Sequence, residues 1–180
     1  TSVSITAGAA QYNIMGISAD EYPELPSVSG GIPVFINQGV LQQMVMQTLF
    51  AVAEDENQKM VHTGLKFELK MNQLRLVGVD GFRLAVRTET IKYDGEEISF
   101  IVPKKTIREL IKIIGSETDK DVQISVGKRH IIFDVDNYSI ISRLLEGDFL
   151  DYNAAIPKTS GTTVLINTND AISCIERTIP

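Results

Sequence analysis

The sequence predicts an α+β protein with helices on one side of antiparallel sheets. Three observations carry this. The order strand–helix–three strands occurs twice between residues 32 and 146. The strand candidates alternate apolar and polar residues, as in a sheet with one wet face. Two intervening segments each carry an apolar stripe at helical spacing.

The elements follow in order. Ser4-Ile5-Thr6 and Tyr12 to Ile17 flank Ala7-Gly8-Ala9-Ala10 and read as a hairpin. Asp20 to Gly31, with two prolines, two serines and two glycines, reads as a connection and a domain boundary. Pro33 to Ile36 is a short strand. Gln38 to about Ala53 is a helix with Val40, Leu41, Met44, Val45, Leu49 and Val52 on one face. Asn37 is its expected cap, because its side chain can accept a bond from a free first-turn amide. Strands follow at Leu65–Lys70, Gln73–Val79 and Arg83–Thr88, with turns at Asn72 and Asp80-Gly81. The second cycle opens with the strand Ile98–Val102, and Pro103 precedes a helix from Lys104 to about Gly115. Ile107, Leu110, Ile111 and Ile114 form that helix's core face. The strands Val122–Val126, His130–Val135 and Tyr138–Leu144 complete it.

A longer repeat overlies this one. Tyr12-Asn13-Ile14-Met15 resembles Tyr138-Ser139-Ile140-Ile141, and Pro33 to Asn37 resembles Thr163 to Asn167, at an offset of about 130 residues. The expectation is the end of one domain-sized unit, a whole second unit and the start of a third, cut from a longer chain. Ala171, Ile172 and Ile175 then lie on a final helix with little to pack on.

Composition bounds the chemistry. The chain has 180 residues, 43% of them hydrophobic, with a formal charge of −6, the wrong sign for tight general binding to phosphates. No run approaches the roughly 18 apolar residues of a membrane span, and no signal-peptide layout is present. Cys174 is the single cysteine, which suits a reducing, cytoplasmic setting. His62 and His130 lack partners at metal-ligand spacing and are expected on strand surfaces or edges. Asp134-Val135-Asp136-Asn137 starts like a calcium loop but lacks the later glycine and glutamate, so a hairpin turn explains it better. No phosphate loop, dinucleotide glycine pattern or nucleophile elbow is present, and Cys174 reads as a buried thiol. The residues give no sign of catalysis, a metal or a cofactor.

Two features point to binding. Lys104, Lys105, Arg108 and Lys112 are expected on the second helix opposite its apolar face. They are either a solvated surface or a face turned to a polyanion. The stretch Val77 to Val86 sets Asp80-Gly81 between apolar runs. That is either a hairpin corner or a corner whose Gly81, Phe82, Arg83 and Leu84 wall a protein-binding groove.

Taken together, Thr63-Gly64-Leu65-Lys66-Phe67-Glu68, Val79-Asp80-Gly81-Phe82-Arg83-Leu84-Ala85, Ile101-Val102-Pro103-Lys104-Lys105 and Glu146-Gly147-Asp148-Phe149-Leu150-Asp151-Tyr152 resemble the bacterial sliding clamp family, the beta subunit of DNA polymerase III. The resemblance covers essentially the whole chain. It implies the DNA-clamp fold, with residues 1–30 ending the first clamp domain, 31–155 forming the second and 156–180 starting the third. It also implies a non-catalytic processivity factor, a head-to-tail homodimer of three-domain subunits encircling double-stranded DNA without reading its sequence. Its partners would be the polymerase III alpha subunit, the clamp loader, and replication and repair proteins bearing clamp-binding peptides. By motif match the peptide pocket would include His62, Val79, Gly81, Phe82, Arg83, Leu84, Leu150, Ala154 and Ala155, with Lys104, Lys105, Arg108 and Lys112 facing DNA. Leu150 stands where a proline is commoner, Ala154 where a larger residue is, and His62 where an aliphatic one is. The other readings are a β-rich protein-binding adaptor without DNA contact and a non-catalytic fragment of a larger enzyme.

Overall fold

The computed structural model describes residues 2–22, 33–54, 59–114 and 119–179. The chain divides into two compact units, Thr1–Asp148 and Phe149–Pro180. The boundary expected within Asp20 to Gly31 lies largely outside the described residues, as does Gly115.

The first unit opens with an exposed hairpin, β1 (Ser2–Ala7) on β2 (Ala10–Met15), turning through Gly8 at φ 61°. Next come β3 (Val34–Asn37), α1 (Gln38–Met46), β4 (Gly64–Lys70), β5 (Gln73–Val79) and β6 (Leu84–Thr90). The second cycle is β7 (Ile98–Pro103), α2 (Lys104–Ile113), β8 (Asp121–Val126), β9 (His130–Val135) and β10 (Tyr138–Arg143). The expected order thus holds, and pairing exchanges the leading strands. The sheets are β6-β5-β4-β7 and β10-β9-β8-β3, antiparallel throughout, so each three-strand meander takes its fourth strand from the other cycle. Leu145 N–H donates to Ile101 O at 2.9 Å and ties the sheets together beside β7.

Alternation builds the core. Leu65, Phe67 and Leu69 are buried while Lys66 and Glu68 are half-buried and pair at 2.7 Å on the other face. Leu41, Met44 and Val45 of α1 and Ile107 and Leu110 of α2 close the same core. Phe67 stacks on Phe100 with centroids 5.2 Å apart and meets Phe133 of the second sheet at 6.4 Å. Aromatic pairs at these distances add about 0.5–1.5 kcal/mol beyond area burial. The turn after β4 uses Met71 and Asn72, both at positive φ, as a two-residue hairpin of matching twist requires.

The first helix is shorter than its periodicity suggests. It stops at Met46 because the buried Thr48 turns its hydroxyl back onto Met44 O at 2.8 Å, and the chain tightens into a 3-10 turn at Leu49–Ala51. Its start is as expected: Asn37 Oδ1 accepts from Val40 N–H at 3.2 Å.

In the second unit, α3 (Tyr152–Ala155) is capped by Asp151 and α4 (Thr168–Glu176) by Asn167, which accepts from the amides of Asn169 and Asp170. The extended segment Thr163 to Ile166 is not a strand among the described residues: Val164, Leu165 and Ile166 are exposed and have no ladder partner. Cys174, expected buried, is exposed on α4.

Candidate functional site

The stretch after β5 is a hairpin corner built by one carboxylate. Asp80 Oδ1 accepts from the amides of Phe82 at 3.0 Å and Arg83 at 2.8 Å. Asp80 Oδ2 accepts from Arg83 Nε at 2.9 Å and Nη2 at 2.7 Å. Gly81, at φ 87°, supplies the left-handed residue the corner needs. With both ends of the turn held by Asp80, Phe82 is driven outward and is 94% exposed, so its ring gains no stabilisation from burial within this chain. The Arg83 guanidinium lies 5.9 Å from the centroid of Phe50 in the Leu49–Ala51 turn.

The remaining expected wall residues divide between the units. Val79 is buried at the end of β5, and Leu84 is half-buried at the start of β6, paired with Val79 in register. His62 is not on a strand; it sits half-buried in the 3-10 turn Met60–Thr63 that leads into β4. Burial, helped by Lys59, pushes its imidazole below the usual pKa, favouring the neutral ring. Leu150, Ala154 and Ala155 belong to the second unit and are exposed there. Sequence reasoning missed Phe50 and the role of Asp80. An Asp three residues before an Arg across a Gly is a readable signal for the latter.

The Asp80 carboxyl is held down to about 2 from an ordinary 3.8, first by the side-chain bonds from Arg83, then by the Arg83 amide. A depressed folded-state pKa stabilises the protein fully above the ordinary value and is lost as pH falls through the folded value. The corner should therefore contribute about 1–2 kcal/mol at neutral pH, allowing for solvent screening of the half-exposed guanidinium. That contribution disappears between about pH 4 and pH 2. Asp80→Asn should lose it at neutral pH, and its stability should change less than the unsubstituted protein's over that acid range. Chemical denaturation at a series of pH values measures both.

The basic face of α2 is smaller than its sequence implied. Lys104 is not on it. The side chain is 9% exposed, and Nζ donates to Val52 O at 2.6 Å and to Glu54 Oε1 at 2.8 Å. The reason is angular: Lys104 precedes Ile107 and Ile111 by three and seven residues and so shares their inward face. Those two bonds offset the cost of burying its ammonium and tie α2 to the chain that follows the Leu49–Ala51 turn. Lys104 first, and Arg108 after it, lower the Glu54 pKa. Lys105, Arg108 and Lys112 are exposed on the outer side. Arg108 meets Glu54 at 2.8 Å and Lys112 meets Glu109 at 2.8 Å, while Lys105 has no acidic partner among the described residues. On α1, the Gln38 side chain is buried.

These features sit on a chain with clear relatives. Residues 35–151 match the family model described as the DNA polymerase III beta subunit, central domain. A beta sliding clamp of Staphylococcus epidermidis is 34% identical over 173 residues, 96% of this chain and 45% of the relative. The solved structure of a putative DNA polymerase III beta subunit from Eubacterium rectale superposes with a TM-score of 0.87 at 32% identity, covering 98% of this chain and 48% of that one. The DNA polymerase sliding clamp of Bacillus subtilis gives a TM-score of 0.86 at 29% identity, with 98% and 46% covered. The chain thus spans about half the length of the relatives it matches. With the fold, the doubled meander and the sequence match in agreement, the chain belongs to the DNA polymerase III beta subunit family.

Proposed function

We propose that this chain is the middle portion of a sliding clamp, a non-catalytic replication factor that encircles duplex DNA and tethers the replicative polymerase. Residues 1–30 end the first clamp domain, 31–155 make the second and 156–180 start the third. The full-length protein forms a head-to-tail homodimer in the cytoplasm and uses no cofactor. Its partners are the polymerase alpha subunit, the clamp loader and other proteins carrying clamp-binding peptides. The tether works by linkage: a polymerase held on the ring meets the template at an effective concentration set by the tether, not by its bulk concentration.

The observation that carries this reading is the Asp80–Arg83 corner, a rigid turn displaying an exposed ring and a fixed guanidinium. Rigid display of an aromatic beside an arginine is the pattern of interface hot spots, because little side-chain entropy remains to be lost on binding. By motif match, Val79, Gly81, Leu84 and His62 of the first unit are proposed to contact the peptide, and Leu150, Ala154 and Ala155 of the second unit are proposed separately as peptide contacts. Lys105, Arg108 and Lys112 form the proposed DNA-facing stripe, with Lys104 as its structural tie.

The test is Arg83→Ala in the full-length protein, titrated against a labelled copy of the polymerase's clamp-binding segment. Removing an anchoring arginine should weaken binding roughly fivefold to tenfold. Circular dichroism should stay unchanged. Equal affinity would return the stretch to being only a turn.

A further inference from the structure

The Phe50 ring is half-exposed in the Leu49–Ala51 turn, where Leu49 is half-buried and Ala51 and the flanking Thr48 and Val52 are fully buried. The turn cannot drift. Thr48 O lies so close to Gly78 on β5 that a Cβ there would sit 2.4 Å from it, and Val52 Cγ2 would be 3.1 Å away. Backbone contact on β5 therefore sets where the ring stands relative to the corner that leaves the end of the same strand.

What the ring meets is Arg83, and only part of that side chain is occupied. The Nε and Nη2 edge is taken by Asp80, while Phe50 lies 5.9 Å from Cζ. Among the described residues Nη1 has no hydrogen-bond partner. A guanidinium fixed at one edge and leaning on an aromatic ring has lost most of its rotamer freedom before any ligand arrives.

We infer that Phe50 is a positioning residue of the peptide site, acting through Arg83. Phe50 and Asp80 hold the guanidinium so that the Nη1 donors are presented to a carbonyl or carboxylate oxygen of the bound peptide. The inference rests on the peptide-docking reading above. It adds a residue from outside the Gly81–Leu84 stretch and a role for the ring that does not involve touching the peptide.

The experiment uses the full-length protein and a fluorescein-labelled peptide copying the clamp-binding segment of the cognate polymerase, read by anisotropy. Phe50→Leu keeps apolar bulk and removes the ring quadrupole, so affinity should fall roughly threefold to fivefold. Phe50→Tyr keeps a π face and should stay within about twofold of the unsubstituted protein. In an Arg83→Ala background, Phe50→Leu should have no further effect. The Arg83 Nε–H resonance should shift in Phe50→Leu and remain near its original position in Phe50→Tyr, a change that general loosening of the fold would not confine to one signal.

An equal loss from Phe50→Leu with and without Arg83 would mean that the ring contacts the peptide itself, and would overturn the inference. So would unchanged affinity in Phe50→Leu while Arg83→Ala weakens binding; the docking reading would then survive. If the unsubstituted protein fails to bind the peptide, the docking reading falls and takes the inference with it.

Discussion

Replacing Gly78 by alanine is expected to lower the melting temperature by roughly 6–12 °C, the equivalent of about 3 kcal/mol in a chain of this size. Gly78 is buried in β5, opposite Ala85 of β6. The added methyl carbon would lie 2.4 Å from Thr48 O and 3.3 Å from the Thr48 carbonyl carbon, both backbone atoms. A flexible side chain would swing aside; this carbonyl is held, because it accepts from Ala51 N–H at 3.1 Å. The Thr48 hydroxyl is tied to Met44 O as well. Relief therefore means lifting the whole Leu49–Ala51 turn from the sheet and opening its contact with Val52. Gly81→Ala is the control. Its Cβ meets nothing within 4 Å, so only the φ of 87° opposes it, with a cost of about 1–2 kcal/mol. Calorimetry on the two variants separates a glycine needed for room from one needed for backbone freedom. A smaller loss in Gly78→Ala than in Gly81→Ala would refute the account of the turn's anchorage.

Much of this architecture is legible because burial follows period. The alternation of Leu65, Phe67 and Leu69 and the helical stripe of Ile107, Leu110 and Ile114 are direct records of which side chains leave water. The swapped leading strands are not legible, since a strand's own sequence says which face it buries and not which neighbour it pairs with. Lys104 shows how a charge label misleads. Its spacing from Ile107 and Ile111 marked the inward face, and the buried ammonium is satisfied by Val52 and Glu54, some fifty residues away in the chain. At the site, the Asp80 corner is readable from local turn chemistry, whereas Phe50 is not. Its position beside Arg83 depends on a long-range approach of two backbones at Gly78, and no local pattern encodes that.

Reversing the outer stripe with Lys105→Glu, Arg108→Glu and Lys112→Glu together should abolish most processive synthesis by a polymerase tethered to the full-length protein. Each residue is on the exposed side of α2, away from the buried Ile107 and Leu110, so the folded state should tolerate the change. The pairs of Arg108 with Glu54 and Lys112 with Glu109 are surface contacts of the kind worth about 0–1 kcal/mol. They yield readily to a phosphate and contribute little when lost. Contact with the backbone of a duplex is additive in charge, and affinity falls by roughly 0.9 log units per neutralised phosphate for each tenfold rise in salt. Three lost contacts plus three introduced repulsions should thus cut DNA affinity by at least about a hundredfold at low salt and flatten its salt dependence. Because phosphate contacts carry no sequence information, the loss should be the same on any template. Peptide affinity should be untouched, since Arg83 and Phe82 lie on a different element. Lys104→Met supplies the contrast: it removes a charge from the same helix but leaves the outer face intact, so it should lower stability while sparing the salt dependence of DNA binding. Unchanged product length in the triple variant would sink the assignment of this face to DNA, and loss of peptide binding in it would mean the fold had been disturbed instead.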